Sequence, residues 1–220
     1  MSTNTFIICN SDHRLFSELT DVSVIKEVLL EPKAVEKIKE ADLIIDLSMG
    51  VHAEKEAILN FLCNVHEKEV ISDMSCHWGE FFHERFPNLK ASMSAAFYSP
   101  KNTVEVHGEL PHLATHFLKE LGLNTLEVSE AGHGFTYPRT VSMIINEAFY
   151  ALEDKLSSKE DMDTAMLYGV NYPLGLFEWC DKIGARPIVT LLDGLHTVTK
   201  NARYRPAPGL RKKAMLEQSF

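Results

Sequence analysis

Short apolar runs in this chain alternate with amphipathic pieces of helix length, and that rhythm leaves few folds open. "KAVEKIKEA" (33–41) has helical spacing and runs straight into "DLIIDLS" (42–48), an apolar run of strand length. The runs "TFIIC" (5–9), "EVISDMS" (69–75), "LKASMSAAF" (89–97), "TVEVHGE" (103–109) and "TLEVS" (125–129) read as further strands. Between them, "AEKEAILNFLCNV" (53–65), "WGEFFHERF" (78–86) and "PHLATHFLKELG" (111–122) read as helices. Such alternation builds βαβ units and a mostly parallel sheet. In these sheets ligands gather beyond the carboxyl ends of the strands. Asp46, Ser72, Asp73, Ser75, Ala96 and Glu105 are expected there.

After residue 130 the pattern is helical throughout. Val141, Ile144, Ile145, Ala148 and Leu152 follow the three-and-four spacing of one helix face. Pro138 is expected at the first helical position, with Tyr137 held extended before it. Arg139 beside it is unusual, because a cation at a helix N-terminus opposes the helix dipole. Ser157 and Glu160 have capping-box spacing, and Gly169 and Gly184 are placed to stop helices. Pro187 suits the first turn of the helix that follows. The expected architecture is α/β then all-α. Residues 1–130 form a Rossmann-like unit without its glycine-rich loop, and residues 131–220 form a helical unit.

Charge and cysteine usage narrow the setting. The chain has 22 basic and 31 acidic residues, a net charge of −9. That balance argues against a nucleic-acid partner, which needs basic stripes. No apolar run reaches the ~18–20 residues of a membrane span, and "MSTNTFIICNSDHRLF" lacks the basic start of a secretory signal. The four cysteines contain no C-x-x-C pair, so neither a disulfide framework nor a zinc site is expected. A cytoplasmic location follows.

The segment from Gly134 onward resembles the C-terminal domain of the NAD-dependent L-3-hydroxyacyl-CoA dehydrogenases. The motifs that carry the resemblance are "GFTYPR" (134–139), "INEA" (145–148), "MDTAM" (162–166), "GVNYPLGLF" (169–177), "DKIG" (181–184) and "RYRPAPGL" (203–210). They fall in the family's order. The N-terminal half is similar through "ADLIIDL" (41–47), "SDMS" (72–75), "SAAFYSP" (94–100) and "TVEV" (103–106). In this resemblance Asp46 matches a family glutamate, and Lys55 falls near the lysine that follows it. The family implies fatty-acid metabolism, NAD as cofactor, an acyl-CoA ligand and a homodimer formed through the helical unit.

The residues that the family's hydride transfer needs are only partly present. The matching position of the base histidine is Ala96, and a methyl group moves no proton. Its carboxylate partner is matched by Glu105, and the serine that binds the substrate oxygen by Ser75. The turn asparagine is matched by Pro138, followed by Arg139. A dinucleotide site needs glycines after the first strand, yet "TFIIC" is followed by "NSDHRLFSEL", and the first glycine is Gly50. The segment before "ADLIIDL" is also shorter than the family's, so strand–helix units are expected to be missing.

Three readings follow. One is a pseudoenzyme that keeps the architecture and an acyl-CoA or related pocket lined by Ser72, Asp73, Asp46 and Arg139. Another is an active NAD(P)-dependent oxidoreductase whose base has moved to His107, His133 or His77. The third is a dimeric scaffold without a ligand. No metal is expected, since His112 and His116, four apart on a helix, have no clear third ligand. Cys76 beside His77 reads as a buried or incidental thiol rather than a nucleophile. The basic run "RYRPAPGLRKK" (203–213) would suit coenzyme A phosphates or a solvated tail equally.

Overall fold

The protein is described from a computed structural model covering residues 5–9, 13–19, 23–25, 32–65 and 69–217. It divides into two units, residues 1–135 and 136–220.

The first unit is built on a sheet of seven strands: β1 (Thr5–Cys9), β2 (Ser23–Ile25), β3 (Leu43–Leu47), β4 (Glu69–Asp73), β5 (Leu89–Met93), β6 (Thr103–Gly108) and β7 (Asn124–Glu127). Their order is β2-β1-β3-β4-β5-β6-β7, and every pairing is parallel except β5 with β6. The order reverses beside β1, where the chain places β2 on one side and β3 on the other, as in Rossmann sheets. Central strands are apolar on both faces because both are covered. On one face Ile7, Leu43, Ile45, Ile71 and Met93 pack with Phe117 and Leu118 of α4 (His112–Glu120). On the other Phe6, Ile8, Ile44 and Val70 pack with Ile38 of α1 (Pro32–Glu40), Leu59 and Leu62 of α2 (His52–Val65), and Phe82 of α3 (Gly79–Arg85). Each such side chain contributes about 1.5–3 kcal/mol when fully buried. Among the described residues two strands, β1 and β2, precede β3. Residues 13–19 form turns rather than a helix, and Leu15 and Leu19 join the core on the α4 face.

Two expectations for this unit need correction. The strand over 89–97 ends at Met93, so Ser94–Phe97 is a loop. Glu105 is not at the end of its own strand but in the middle of β6. Antiparallel pairing still brings it level with the carboxyl end of β5, since Ser94 N donates to Glu105 O at 3.0 Å.

The second unit holds α5 (Thr136–Glu153), α6 (Lys159–Gly169), α7 (Leu176–Ile183), α8 (Ala185–Thr199), a 3-10 turn (Ala202–Tyr204) and α9 (Pro208–Leu216). α5 begins earlier than expected, so Pro138 stands third and Tyr137 is helical. Proline is tolerated there because first-turn N–H groups have no intrahelical acceptor. The cap of α6 is also one residue later than expected: Ser158, not Ser157, accepts from Asp161 N at 3.1 Å.

The motifs of this unit have structural work. Asp163 accepts from Phe177 N at 2.9 Å and Glu178 N at 3.3 Å, capping α7. A side chain at Gly175 would put Cβ 2.2 Å from Asp163 Cγ, so glycine is required beside that cap. Asn146 donates to Arg205 O at 2.9 Å and accepts from Ala207 N at 2.8 Å, tying the 205–207 segment to α5.

Candidate active site

The carboxyl edge of the sheet collects polar side chains that are almost fully buried. Asp46, the penultimate residue of β3, has its carboxylate 2.7 Å from Lys55 Nζ, and neither side chain is exposed. Ser72 Oγ donates to Asp46 at 2.7 Å, and Ser48 N donates to it at 2.9 Å. Lys55, on α2, also donates to Ser48 O at 3.0 Å. A buried charge is tolerated only when paired and hydrogen-bonded in this way. The group fixes the loop between β3 and α2.

One strand along, Asp73 accepts from Ser75 N at 2.7 Å and lies 3.2 Å from His13 Nε2. Burial pushes the Asp73 carboxyl up, but bonds to His13 and Ser75 outweigh it and hold the group below the usual carboxylate value. His13 Nδ1 meanwhile accepts from Leu15 N at 3.2 Å. Both ring nitrogens are therefore engaged, and His13 has no lone pair left for a substrate. Ser75 Oγ accepts from Ala96 N at 3.3 Å. The two positions matched to the family's serine and base are thus neighbours, and the second carries only a methyl. Glu105 N donates to Ser94 Oγ at 2.9 Å, which fixes its backbone beside this loop.

The other histidines are placed differently. His107 lies 3.3 Å from Val128 O through Nδ1 and meets the His83 ring edge-on at 5.1 Å. Its Nδ1 is committed to that carbonyl. His133 forms an antiparallel bridge with Trp78. His77 is buried, and its Nε2 has no hydrogen-bond partner. Burial, with Lys55 nearby, drives the His77 imidazole well below its ordinary value. A general base works best with a pKa near the operating pH, so this environment disfavours proton uptake. Cys76 is buried and its thiol is pushed well up by burial, which makes it unreactive. His116 pairs with Glu120 at 3.1 Å on an exposed face, and among the described residues no three His, Cys, Asp or Glu side chains are grouped so as to hold a metal ion. Arg139 belongs to the helical unit, with its guanidinium on the Tyr204 hydroxyl.

The segment after β1 lacks the glycines that a dinucleotide site needs. The pyrophosphate would need backbone N–H groups exposed at a glycine turn in the crevice between β1 and β3. Asn10, Ser11 and Asp12 lie outside the described residues, and none is glycine. Beyond them His13 reaches from the end of β1 past β3 to Asp73 on β4. Arg14 continues across, donating to Phe97 O at 2.9 Å. His13 and Arg14 thus tie the segment after β1 to the end of β4 and to the loop after β5. A lone histidine in "NSDHRLF" gave no sign of this role, and only the fold reveals His13 and Arg14.

Residues 134–218 match the 3-hydroxyacyl-CoA dehydrogenase, C-terminal domain, family model. The chain is 40% identical over 107 residues to 3-hydroxyadipyl-CoA dehydrogenase of Escherichia coli strain K12, covering 49% of this chain and 22% of that protein. It is 26% identical over 195 residues to 3-hydroxybutyryl-CoA dehydrogenase of Bradyrhizobium diazoefficiens, covering 84% and 66%. The chain therefore spans less than two thirds of these relatives' lengths. Its fold matches the crystal structure of (S)-3-hydroxybutyryl-CoA dehydrogenase from Ralstonia eutropha with a TM-score of 0.66 at 20% identity, over 98% of this chain and 94% of that one. Among the described residues no helix is long and apolar enough to cross a membrane. The family model thus covers the helical unit rather than the whole chain, and it is there that the chain is similar to the 3-hydroxyacyl-CoA dehydrogenases.

Proposed function

We propose that this protein is a catalytically degenerate member of the family that retains a pocket for an acyl-CoA or related ligand. The observation that carries the reading is the contact between Ser75 and Ala96. Where the resemblance puts serine and base side by side, the base position has no titratable group. The bond from His13 to Asp73, beside the end of β1, supports the same conclusion. Loss of a general base removes about 10²–10⁴-fold of rate, and loss of ordered cofactor binding removes more. The test is NADH oxidation with acetoacetyl-CoA. The reading expects turnover at least about a thousandfold below that of a working relative, and a rate within tenfold of it would overturn the reading.

The helical unit is proposed to pair with a second copy. α6 contributes no buried residue, and Leu156, Tyr168 and Val170 beside and on it are exposed by 74%, 85% and 57%. Apolar surface of that kind is commonly covered by a partner. Sedimentation at micromolar concentration should give a dimer, and a monomer would end this part of the reading. A cytoplasmic setting is part of the proposal, and it rests on the sequence, whose four cysteines lie far apart without a C-x-x-C pair.

A further inference from the structure

We propose that Arg139 and Arg203, converging on the Tyr204 hydroxyl, form a binding site for a phosphate dianion. Both guanidiniums donate through Nη2 to the same phenol oxygen. Their central carbons lie 5.1 Å and 4.6 Å from the Tyr204 ring centroid, so each also rests on the ring. Two other cations of the basic run are neutralised. Arg211 makes two bonds to Asp193, at 2.9 Å and 2.6 Å, and Lys213 pairs with Asp181 at 2.8 Å and Glu217 at 3.1 Å. Among the described residues neither Arg139 nor Arg203 pairs with a carboxylate.

The missing partner is an anion with several oxygens. A phenol oxygen has two lone pairs, and the two arginines take both. What remains of Tyr204 is its hydroxyl proton, a donor. The cluster thus presents two cations and one O–H, with donors in excess and no anion. A neutral phenol does not offset two positive charges held together. A carboxylate offers its lone pairs in one plane, whereas the tetrahedral oxygens of a phosphate dianion carry more charge and accept from two forks that arrive on different faces.

The cluster is also preorganised. The Tyr204 ring is 1% exposed. Asn201 accepts from Arg203 N at 3.1 Å, and Asn146 fixes Arg205 and Ala207 from α5. Burial raises the Tyr204 phenol, but the bonds from Arg203 and Arg139 hold it below its ordinary value, in keeping with concentrated positive charge. Arg203 itself is exposed, so an anion from solution reaches it. The inference does not depend on the loss of hydride transfer.

The phosphate is free or carried by a larger molecule, and titration calorimetry on the full chain separates the two. The injected ligands are inorganic phosphate, coenzyme A and dephospho-coenzyme A, tested on wild type, R203Q, R203K and Y204F, with circular dichroism melts to verify folding. Saturable binding of inorganic phosphate, weakened at least about tenfold in R203Q, supports a free-phosphate site; that is the loss expected for one charge-assisted contact. Binding of coenzyme A tighter than dephospho-coenzyme A, with the difference erased in R203Q, supports a site for a ligand-borne phosphate. R203K, which keeps the charge and loses the fork, is expected to fall between wild type and R203Q. Y204F should weaken binding only a few-fold. Absence of saturable binding by any of the three ligands, or equal binding by wild type and R203Q, overturns the proposal.

Discussion

Replacing Lys55 with methionine is expected to unfold the N-terminal unit at far lower denaturant than wild type. Lys55 Nζ and Asp46 Oδ2 are 2.7 Å apart with both side chains at 0% exposure. Methionine keeps the stem and removes the ammonium, leaving Asp46 buried with only Ser72 Oγ and Ser48 N for company. Breaking a buried ion pair by removing one partner costs about 3–5 kcal/mol. A domain's whole stability is about 5–15 kcal/mol, so the loss is a large fraction of it. With a urea slope of about 1–3 kcal/mol/M, the midpoint should fall by about 2 M. Far-UV circular dichroism against urea reads this directly. The double variant Asp46→Leu, Lys55→Met removes both charges and should recover at least half of the loss, because an apolar pair of similar volume replaces the ions. The reasoning fails if Lys55→Met lies within about 1 kcal/mol of wild type, or if the double variant is as unstable as the two single losses added.

Two further outcomes follow from buried polar groups. The His77 imidazole is held well below 6.5 by burial and by Lys55, so the unfolded chain takes up a proton that the folded one refuses. Stability is then fully present above about pH 6.5 and falls as pH drops toward the folded value, with a slope of up to about 1.4 kcal/mol per pH unit. His77→Leu should flatten the urea midpoint between about pH 6.5 and 5, and an unchanged slope would remove His77 from the account. Ser142 Oγ is buried on α5 without a hydrogen-bond partner, so Ser142→Ala should raise the stability of the helical unit by about 1 kcal/mol. A loss of that size in thermal melts would mean that the hydroxyl has a partner.

Most of the architecture was legible because it rests on periodicity. Runs such as "DLIIDLS" and "TFIIC" are apolar on both faces, and only a covered parallel sheet uses strands of that kind. Direction is not written in a strand's composition, which is why the antiparallel course of β6, and with it the position of Glu105, was misjudged. Helix starts were misplaced by a residue or two for a similar reason. Pro138 is acceptable at any first-turn position, and adjacent serines at 157 and 158 are equivalent until the backbone chooses one. The motifs that carry the family resemblance proved to be structural: Asp163 caps α7, Gly175 makes room for it, and Asn146 anchors the segment before α9. They preserve a fold and say little about chemistry. Arg139 and the 203–213 run were legible as candidates, but the roles of His13 and Arg14 and the meeting of Arg139 with Tyr204 were not, because each contact joins residues 60 or more positions apart.

The central claim is that the chain, without a glycine turn after β1, holds no dinucleotide. Calorimetric titration of the full chain with NADH tests it most directly. The account predicts no saturable heat up to about 1 mM NADH. A micromolar dissociation constant with one cofactor per chain would contradict it.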